Sequence, residues 1–522
     1  MSSIFQPKPI LKLTALFCGI YLLSYLGYLF PILNAAIFWI IVIATAILSF
    51  KKLEYGVLIV LSELFLGGRG YIFSFNFFGF VASLRLALFC VVFLIWFFYY
   101  RSYNKYSFVK SKYFLPFVFL TFIIILAAAR GIYFGHSIKN IFFDLNGYLY
   151  FAFIFPVFDI INKNNLIKKL LQNLIAAAAT LALLTIFMGF GFSFLHPEVR
   201  LDKSGILSFE FEKGEEMTQE ISHSVLAKKE LKTFALRRDM SEQKQAEYRW
   251  SRDTGIGELA YISGRFFRFF SASQLYQVIL LGLILFFFKD KFFQKALFKK
   301  DSFLPAVILG IIFLSIIISF SRSLWLGTAA ICLFFLLSLP KKYLFKTIFL
   351  GLVLLIILIF VLKFFTPSIY DSFSDRISSI FRPQTQSTAL TRINILNSAW
   401  QEIKQHFLFG WGFGKTVSYE SVIPGASGIL KVFAFEWQYV EILLKLGLIG
   451  VTFYLWFLFS IFIERYKLKY LPSEKYFIAN AFTAGLLGFL IINITTPYLN
   501  HPLGIGFLII TIGILEILNL KS

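Results

Sequence analysis

The sequence predicts an all-α membrane protein, a polytopic bundle of about fourteen transmembrane helices with two large extracytoplasmic loops. Three observations predict it. Hydrophobic residues make up 58% of the chain and charged residues only 15%, where soluble domains carry about 25% charged residues; the mean hydropathy is +0.77. Apolar runs long enough to cross a hydrocarbon core of about 30 Å recur from end to end. Lysine and arginine gather on alternate connections between these runs.

The runs must be helices, because a backbone facing lipid can satisfy its amides only within a helix or a closed barrel. A barrel needs short segments that alternate apolar and polar residues, and residues 347–362 are apolar on every face. Spans are predicted near 10–32, 34–50, 55–68, 80–99, 113–129, 143–161, 172–194, 270–288, 303–320, 323–339, 347–364, 437–463, 476–494 and 502–519. The first is too long for a signal-peptide core and lacks a small-residue cleavage site, so it is expected to stay in the membrane.

The connections sort into two sets. One holds Lys8, Lys51, Arg101, Lys163, Lys289, Lys341, Arg465, Lys521 and their neighbours, 24 basic residues in all. The other holds only Arg69, Arg130, Lys139 and Arg322 on its short turns. By the positive-inside rule the first set is cytoplasmic, together with both termini. The same bias accounts for the net charge of +22 as topology and attraction to anionic lipid, not nucleic-acid binding. The chain divides into residues 1–195 (spans one to seven), a cap loop at 196–264, residues 265–364 (spans eight to eleven), a second outer loop at 365–436, and residues 437–522 (spans twelve to fourteen).

The cap loop carries 13 of the 28 acidic residues and nearly as many basic ones. Glu220 to Trp250 reads as helix and Ile206 to Phe211 as a short strand. In the second loop, Ser387 or Thr388 can cap a helix running to His406, with Ile393, Leu396, Ala399, Trp400 and Ile403 along one side. That stripe suits a helix lying at the membrane interface or packed on the bundle. Cys18, Cys90 and Cys332 fall inside apolar spans, with no spacing suited to metal or disulfide chemistry.

No metal-binding, nucleotide-binding or serine-nucleophile motif is present, and no cofactor is expected. The outer face instead offers arginines: Arg265 and Arg268 at the start of span eight, Arg322 in the turn before span ten, and Arg392 opening the second-loop helix. Guanidinium groups suit phosphate or carboxylate oxygens, although arginines at span ends also serve as interfacial anchors. Arg322 stands in a very short hairpin against the charge bias, which points to an anion. All five histidines fall on the outer side. Glu436, at the mouth of span twelve, and His501, in an outer turn, could each take a proton from a sugar hydroxyl. Glu63, Arg85 and Asp144 lie within spans and need partners there; a Glu63–Arg85 ion pair is expected.

Several stretches together resemble the O-antigen ligase and O-antigen polymerase family. They are Ser321-Arg-Ser-Leu-Trp-Leu326, Arg392 to Trp400 followed by His406-Phe-Leu-Phe-Gly-Trp-Gly-Phe-Gly414, and Glu436-Trp-Gln-Tyr-Val-Glu-Ile-Leu-Leu-Lys-Leu-Gly-Leu-Ile-Gly450. The run Arg265-Phe-Phe-Arg-Phe-Phe-Ser-Ala-Ser-Gln274 is similar to a further family pattern. The resemblance implies a GT-C-like bundle in the bacterial cytoplasmic membrane. It implies a metal-independent, inverting glycosyltransferase that takes a glycan from a polyprenyl-pyrophosphate carrier to an acceptor on the outer face. Arg265 and Arg322 would bind the departing pyrophosphate, with Arg268 and Arg392 as further candidates, and Glu436 or His501 would be the base. Ligases carry a histidine where this chain has Glu436, which favours a polymerase of lipid-linked repeat units. The expected partners are membrane lipid, the lipid-linked oligosaccharide, an acceptor glycan and a chain-length regulator protein. The competing readings are a ligase acting on a lipid core or protein, a lipid-linked sugar transporter or flippase, and a scaffold protein without catalysis.

Overall fold

The computed structural model describes residues 4–77, 80–100, 108–161, 166–194, 242–263, 266–293, 302–365, 370, 374, 378, 387–423, 426–467 and 473–520. Its helices in chain order are α1 (Pro7–Leu29), α2 (Pro31–Lys51), α3 (Leu53–Leu66), α4 (Leu84–Ile95), α5 (Phe114–Tyr133), α6 (Ile138–Leu149), α7 (Ile154–Ile161) and α8 (Leu166–Phe194). Beyond the cap loop come α9 (Glu242–Asp253), α10 (Leu275–Phe293), α11 (Phe303–Ile318), α12 (Arg322–Leu337), α13 (Lys341–Phe365), α14 (Ser387–Gln405), α15 (Gln438–Lys467), α16 (Ser473–Ile492) and α17 (Pro502–Leu520). Eight helices among the described residues are long and apolar enough to cross a membrane, and shorter apolar helices accompany them at residues 84–100, 303–318, 322–337 and 502–518. The chain is a polytopic helical membrane protein.

Local chemistry sets several boundaries. Pro7 and Pro31 occupy first-turn positions of α1 and α2, where the missing N–H has no partner to lose. Ser83 caps α4 by accepting the Leu86 N–H at 3.2 Å. Apolar side chains then sort by position in the bundle. Leu22 on α1 and Ile40 on α2 are more than 60% exposed, as a lipid-facing surface requires. Leu280 and Ile284 on α10, and Leu508 and Ile512 on α17, are fully buried. These two helices form the interior, with α16 packed against both.

Three antiparallel hairpins join the helices: β1–β2 (Ser74–Phe77, Phe80–Ser83), β3–β4 (Glu258–Ser263, Phe266–Phe270) and β5–β6 (Val417–Ile423, Ala426–Val432). The sequence reading missed all three. It ran the approach to span eight straight from Arg265 and Arg268 into helix, whereas Arg268 lies on strand β4 opposite Ala260. The alternating bulky aromatics around it pack on a pleated surface and favour strand. Arg265 and the segments at 206–211 and 220–241 lie outside the described residues; 242–253 is helix, as expected. The second-loop helix also forms as expected. Its buried stripe, however, is Thr391, Ala399 and Ile403, and Trp400 points outward. Ala399 and Ile403 pack on Val417, Phe435 and Leu444, closing a small second core.

Buried charges are paired. Arg85 Nε and Nη2 donate to Glu63 Oε2 and Oε1 at 2.8 and 3.1 Å, the two-pronged pair expected from sequence. Asp144 finds Lys445, whose Nζ lies 2.7 Å from its Oδ1. Breaking a buried pair from one side costs about 3–5 kcal/mol, because the remaining charge stays uncompensated. Arg85→Leu should therefore lower the thermal unfolding temperature of the detergent-solubilised protein sharply. The Glu63→Leu/Arg85→Leu double variant should recover much of that loss, and equal losses in the two would contradict this account.

Candidate functional site

The site grows from the start of α15. Inside this helix Gly447 adopts φ 69° and ψ −176°, a break in the helical path that only glycine takes without strain. The chain at 407–414 fills the break. Leu448 and Ile449 donate to the carbonyls of Phe407 and Leu408, and Trp411 and Gly412 donate to those of Leu444 and Lys445, all at 2.9 to 3.1 Å. Gly410, at φ 66°, sits so close that an added Cβ would stand 2.6 Å from the Gly447 nitrogen. Arg130 holds the far side of this clasp, donating to the Gly410 carbonyl at 2.8 Å. The Gly414 N–H donates to Asp144 Oδ2 at 2.7 Å. The glycine-rich run singled out in the sequence is thus a backbone clasp that fixes the first turns of α15.

Those first turns present Glu436, which forms an ion pair with Arg392 of α14. Trp437 reinforces the contact by donating its indole N–H to the Arg392 carbonyl at 3.1 Å. Arg268 reaches the same region from β4, donating to the Phe320 carbonyl at 3.3 Å. Its Nε is buried without a partner. Arg322 opens α12 two residues after Phe320. Phe320 is buried at φ 50°, left-handed backbone that costs a bulky residue on the order of 1–3 kcal/mol and gathers at functional turns. Ser323, next to Arg322, accepts from Thr496 at 2.9 Å, tying the turn to the 493–501 loop.

Electrostatics join these residues into one group. Burial pushes the Arg268 guanidinium below its usual range; Glu258 opposes the shift, Arg392 and Arg322 add to it, and Glu436 opposes it again. Arg322 in turn feels Arg392 and Glu436. Glu258 is already engaged by Arg69 at 2.6 Å. Three arginines therefore gather around one half-exposed carboxylate. Such a cluster suits an anion with several oxygens.

His501 stands elsewhere. Its Nδ1 accepts the Leu503 N–H at 3.2 Å, capping α17. Burial and the neighbouring Arg85 and Arg69 push its pKa down from 6.5 to about 3. The ring is neutral at pH 7 and resists protonation. Between those two pKa values the unfolded chain binds a proton that the folded chain refuses, so stability falls as pH drops from 6.5 toward 3. His501→Asn, which keeps a capping acceptor, should flatten this acid limb in unfolding temperatures measured from pH 7 to 4.5. An unchanged limb would show that other groups set it.

Two further charges escaped the sequence reading although they lie in its quoted motif. Glu441 and Lys445 are buried one turn apart on α15, and Lys445 Nζ lies 2.5 Å from Glu441 Oε1. Their spacing of four residues within an apolar span was the available signal. Among the described residues no group of three or more His, Cys, Asp or Glu side chains is placed to hold a metal ion.

No curated protein and no solved structure matches the chain. A family model does. Residues 304–455, which run from α11 through the Arg322 turn, α14, the clasp and the first half of α15, match the family described as O-antigen ligase, so this segment is similar to that family.

Proposed function

We propose that the protein is a polymerase of lipid-linked polysaccharide repeat units, working on the outer face of the bacterial cytoplasmic membrane. The observation that carries this reading is the cluster of arginines around Glu436. A pyrophosphate leaving a sugar C1 carries charge that fixed cations must stabilise. Arg322 and Arg268, with Arg392 and Arg265, hold that leaving group. The acceptor hydroxyl oxygen attacks C1, the C1–O bond to the pyrophosphate breaks, and Glu436 takes the hydroxyl proton. A single in-line displacement inverts C1. Glu436 is preferred to His501 as the base, because the imidazole is only partly exposed, capped onto α17 and held neutral beside two arginines. Arg392 pairs with Glu436, so a phosphate that draws Arg392 away frees the carboxylate.

The reading takes the fourteen apolar helical stretches as crossings, with both termini cytoplasmic, in a GT-C-like arrangement. A groove of about 590 Å³ supports a lipid-linked donor. It runs along α15 past Tyr439, Thr452, Leu455, Trp456 and Phe459 to Phe462, and Leu490 of α16 completes its wall. It begins three residues from Glu436 and is almost wholly apolar, as a polyprenyl tail requires. The matched family is described as O-antigen ligase. Glu436 in place of a ligase histidine favours polymerisation, and unpolymerised lipid-linked repeat units accumulating in a deletion strain support it. Finished polymer left unattached to its acceptor would mark a ligase instead.

In a host lacking the protein, the native gene should restore a glycan ladder, while Arg322→Ala and Glu436→Gln should reduce turnover by about 100-fold or more. Undiminished ladders would remove the mechanism. Narrowing the groove with Leu455→Trp should raise KM for a long-chain polyprenyl donor and leave a short-chain analogue unaffected. Equal effects on both donors would place the tail elsewhere.

A further inference from the structure

Where α14 ends, the chain turns through Phe407, Leu408 and Phe409, three adjacent large apolar side chains that are 41%, 54% and 45% exposed. An exposed run of this kind is costly in water and marks a contact surface. The backbone of the turn is held from the other side. The carbonyls of Phe407 and Leu408 accept from Leu448 and Ile449 of α15, and that of Gly410 accepts from Arg130 of α5. The clasp therefore fixes the turn against two apolar helices and leaves its side chains facing outward.

Helix length sets the depth of that turn. At about 1.5 Å per residue, about 20 residues cross a hydrocarbon core of about 30 Å. Counting back that far from the basic run that starts at Arg465 places the outer boundary of α15 near Lys445, so Leu448 and Ile449 lie about one turn inside it. The 20 residues of α5 begin just after Lys112 and place its outer end, Arg130 to Tyr133, at the same level. Ile132 and Tyr133 there are 66% and 83% exposed, so the apolar surface of the turn continues that of α5. The residues around the turn are those of a membrane interface, where aromatic and basic side chains gather. The Arg130 guanidinium lies 5.2 Å from the ring centre of Phe134 and 5.7 Å from that of Phe409. Lys415 Nζ lies 3.5 Å from the Trp411 ring centre.

We propose that this corner of the molecule docks on the lipid surface of the outer leaflet, seating Phe407, Leu408 and Phe409 where the acyl chains meet the headgroups. The proposal rests on α5 and α15 crossing the membrane as read above, and not on the reaction assigned to the site. Its consequence is positional. The C-terminal end of α14 is held at the membrane surface, and the same helix carries Arg392 near its start.

The test uses the full-length protein in nanodiscs of phosphatidylethanolamine and phosphatidylglycerol, with Cys18→Ala, Cys90→Ala and Cys332→Ala removing the native thiols. Nitroxide labels are placed singly through Leu408→Cys, through Leu455→Cys on the exposed face of α15, and through Ser418→Cys on the exposed face of β5. Collision with oxygen, which enters hydrocarbon, is compared with collision with a nickel chelate, which stays in water. The oxygen-to-nickel ratio at Leu408 should exceed that at Ser418 by about fivefold or more and approach that at Leu455. Phe409→Cys gives the same comparison if the Leu408 variant does not fold. A ratio at Leu408 equal to that at Ser418 overturns the proposal while leaving the crossing of α15 intact. A label that neither reagent reaches overturns it as well and marks a contact with protein. A water-like ratio at Leu455 removes the crossing itself, and the proposal with it.

Discussion

A charge placed among apolar helices must be paired or it unfolds the bundle, and this constraint decides how the outer end of the protein is assembled. Asp144 on α6 cannot stand alone, and the ammonium that meets it belongs to α15, about three hundred residues further along the chain. That contact, beside the one from Arg130 to Gly410, joins the N-terminal helices to the family-matched segment. The second oxygen of Asp144 accepts the Gly414 N–H, so the same carboxylate also secures the clasp. Glu63 and Arg85 apply the constraint between α3 and α4. With these pairs made, the apolar surfaces of α10, α16 and α17 can pack without a polar interruption that lacks an answer.

The candidate site follows the opposite rule. Arg268, Arg322 and Arg392 gather near one carboxylate and repel one another, an arrangement that suits an anion. A protein arranged for stability alone would spread such charges apart. The strained backbone of Phe320, between the carbonyl that receives Arg268 and the helix that begins with Arg322, points the same way. Cost is concentrated at one place, and the well-paired interior around it sustains that cost.

Much of this was legible in the sequence, because the bilayer imposes simple rules. Span length, charge bias and the need to pair Glu63 with Arg85 all follow from the expense of polar groups in hydrocarbon. The α14 helix was legible from its capping residues and apolar spacing. What escaped was produced by contacts distant in sequence. The β3–β4 hairpin looks like the approach to a span because its aromatics are as apolar as any helix. The break at Gly447 is invisible in a composition that stays apolar across it, and it exists because the 407–414 chain supplies replacement hydrogen bonds from outside. Glu441 and Lys445 were quoted within a motif yet passed over as buried charges, since a helical pair satisfies itself locally and leaves hydropathy almost unchanged. Arg322 stands out as an exception to the charge rule; Arg268, Arg392 and Glu436 are candidates from sequence as well, but only folding shows that they meet.

The discontinuity at Gly447 bears on how the protein responds to its surroundings. A long helix acts as a lever, and a bilayer that thins or thickens changes its tilt. Were α15 continuous, that tilt would swing its outer end, carrying Glu436 away from Arg392. Instead backbone hydrogen bonds on both sides of the break run to the clasp, while beneath it α15 packs one face inward through Tyr454, Phe457 and Ile461 and exposes Leu455 and Phe459 on the other. The outer turns are thus held by the clasp as well as by the helix they belong to. The meeting of Glu436 with Arg392 thereby depends less on the tilt of that helix, and so less on membrane thickness.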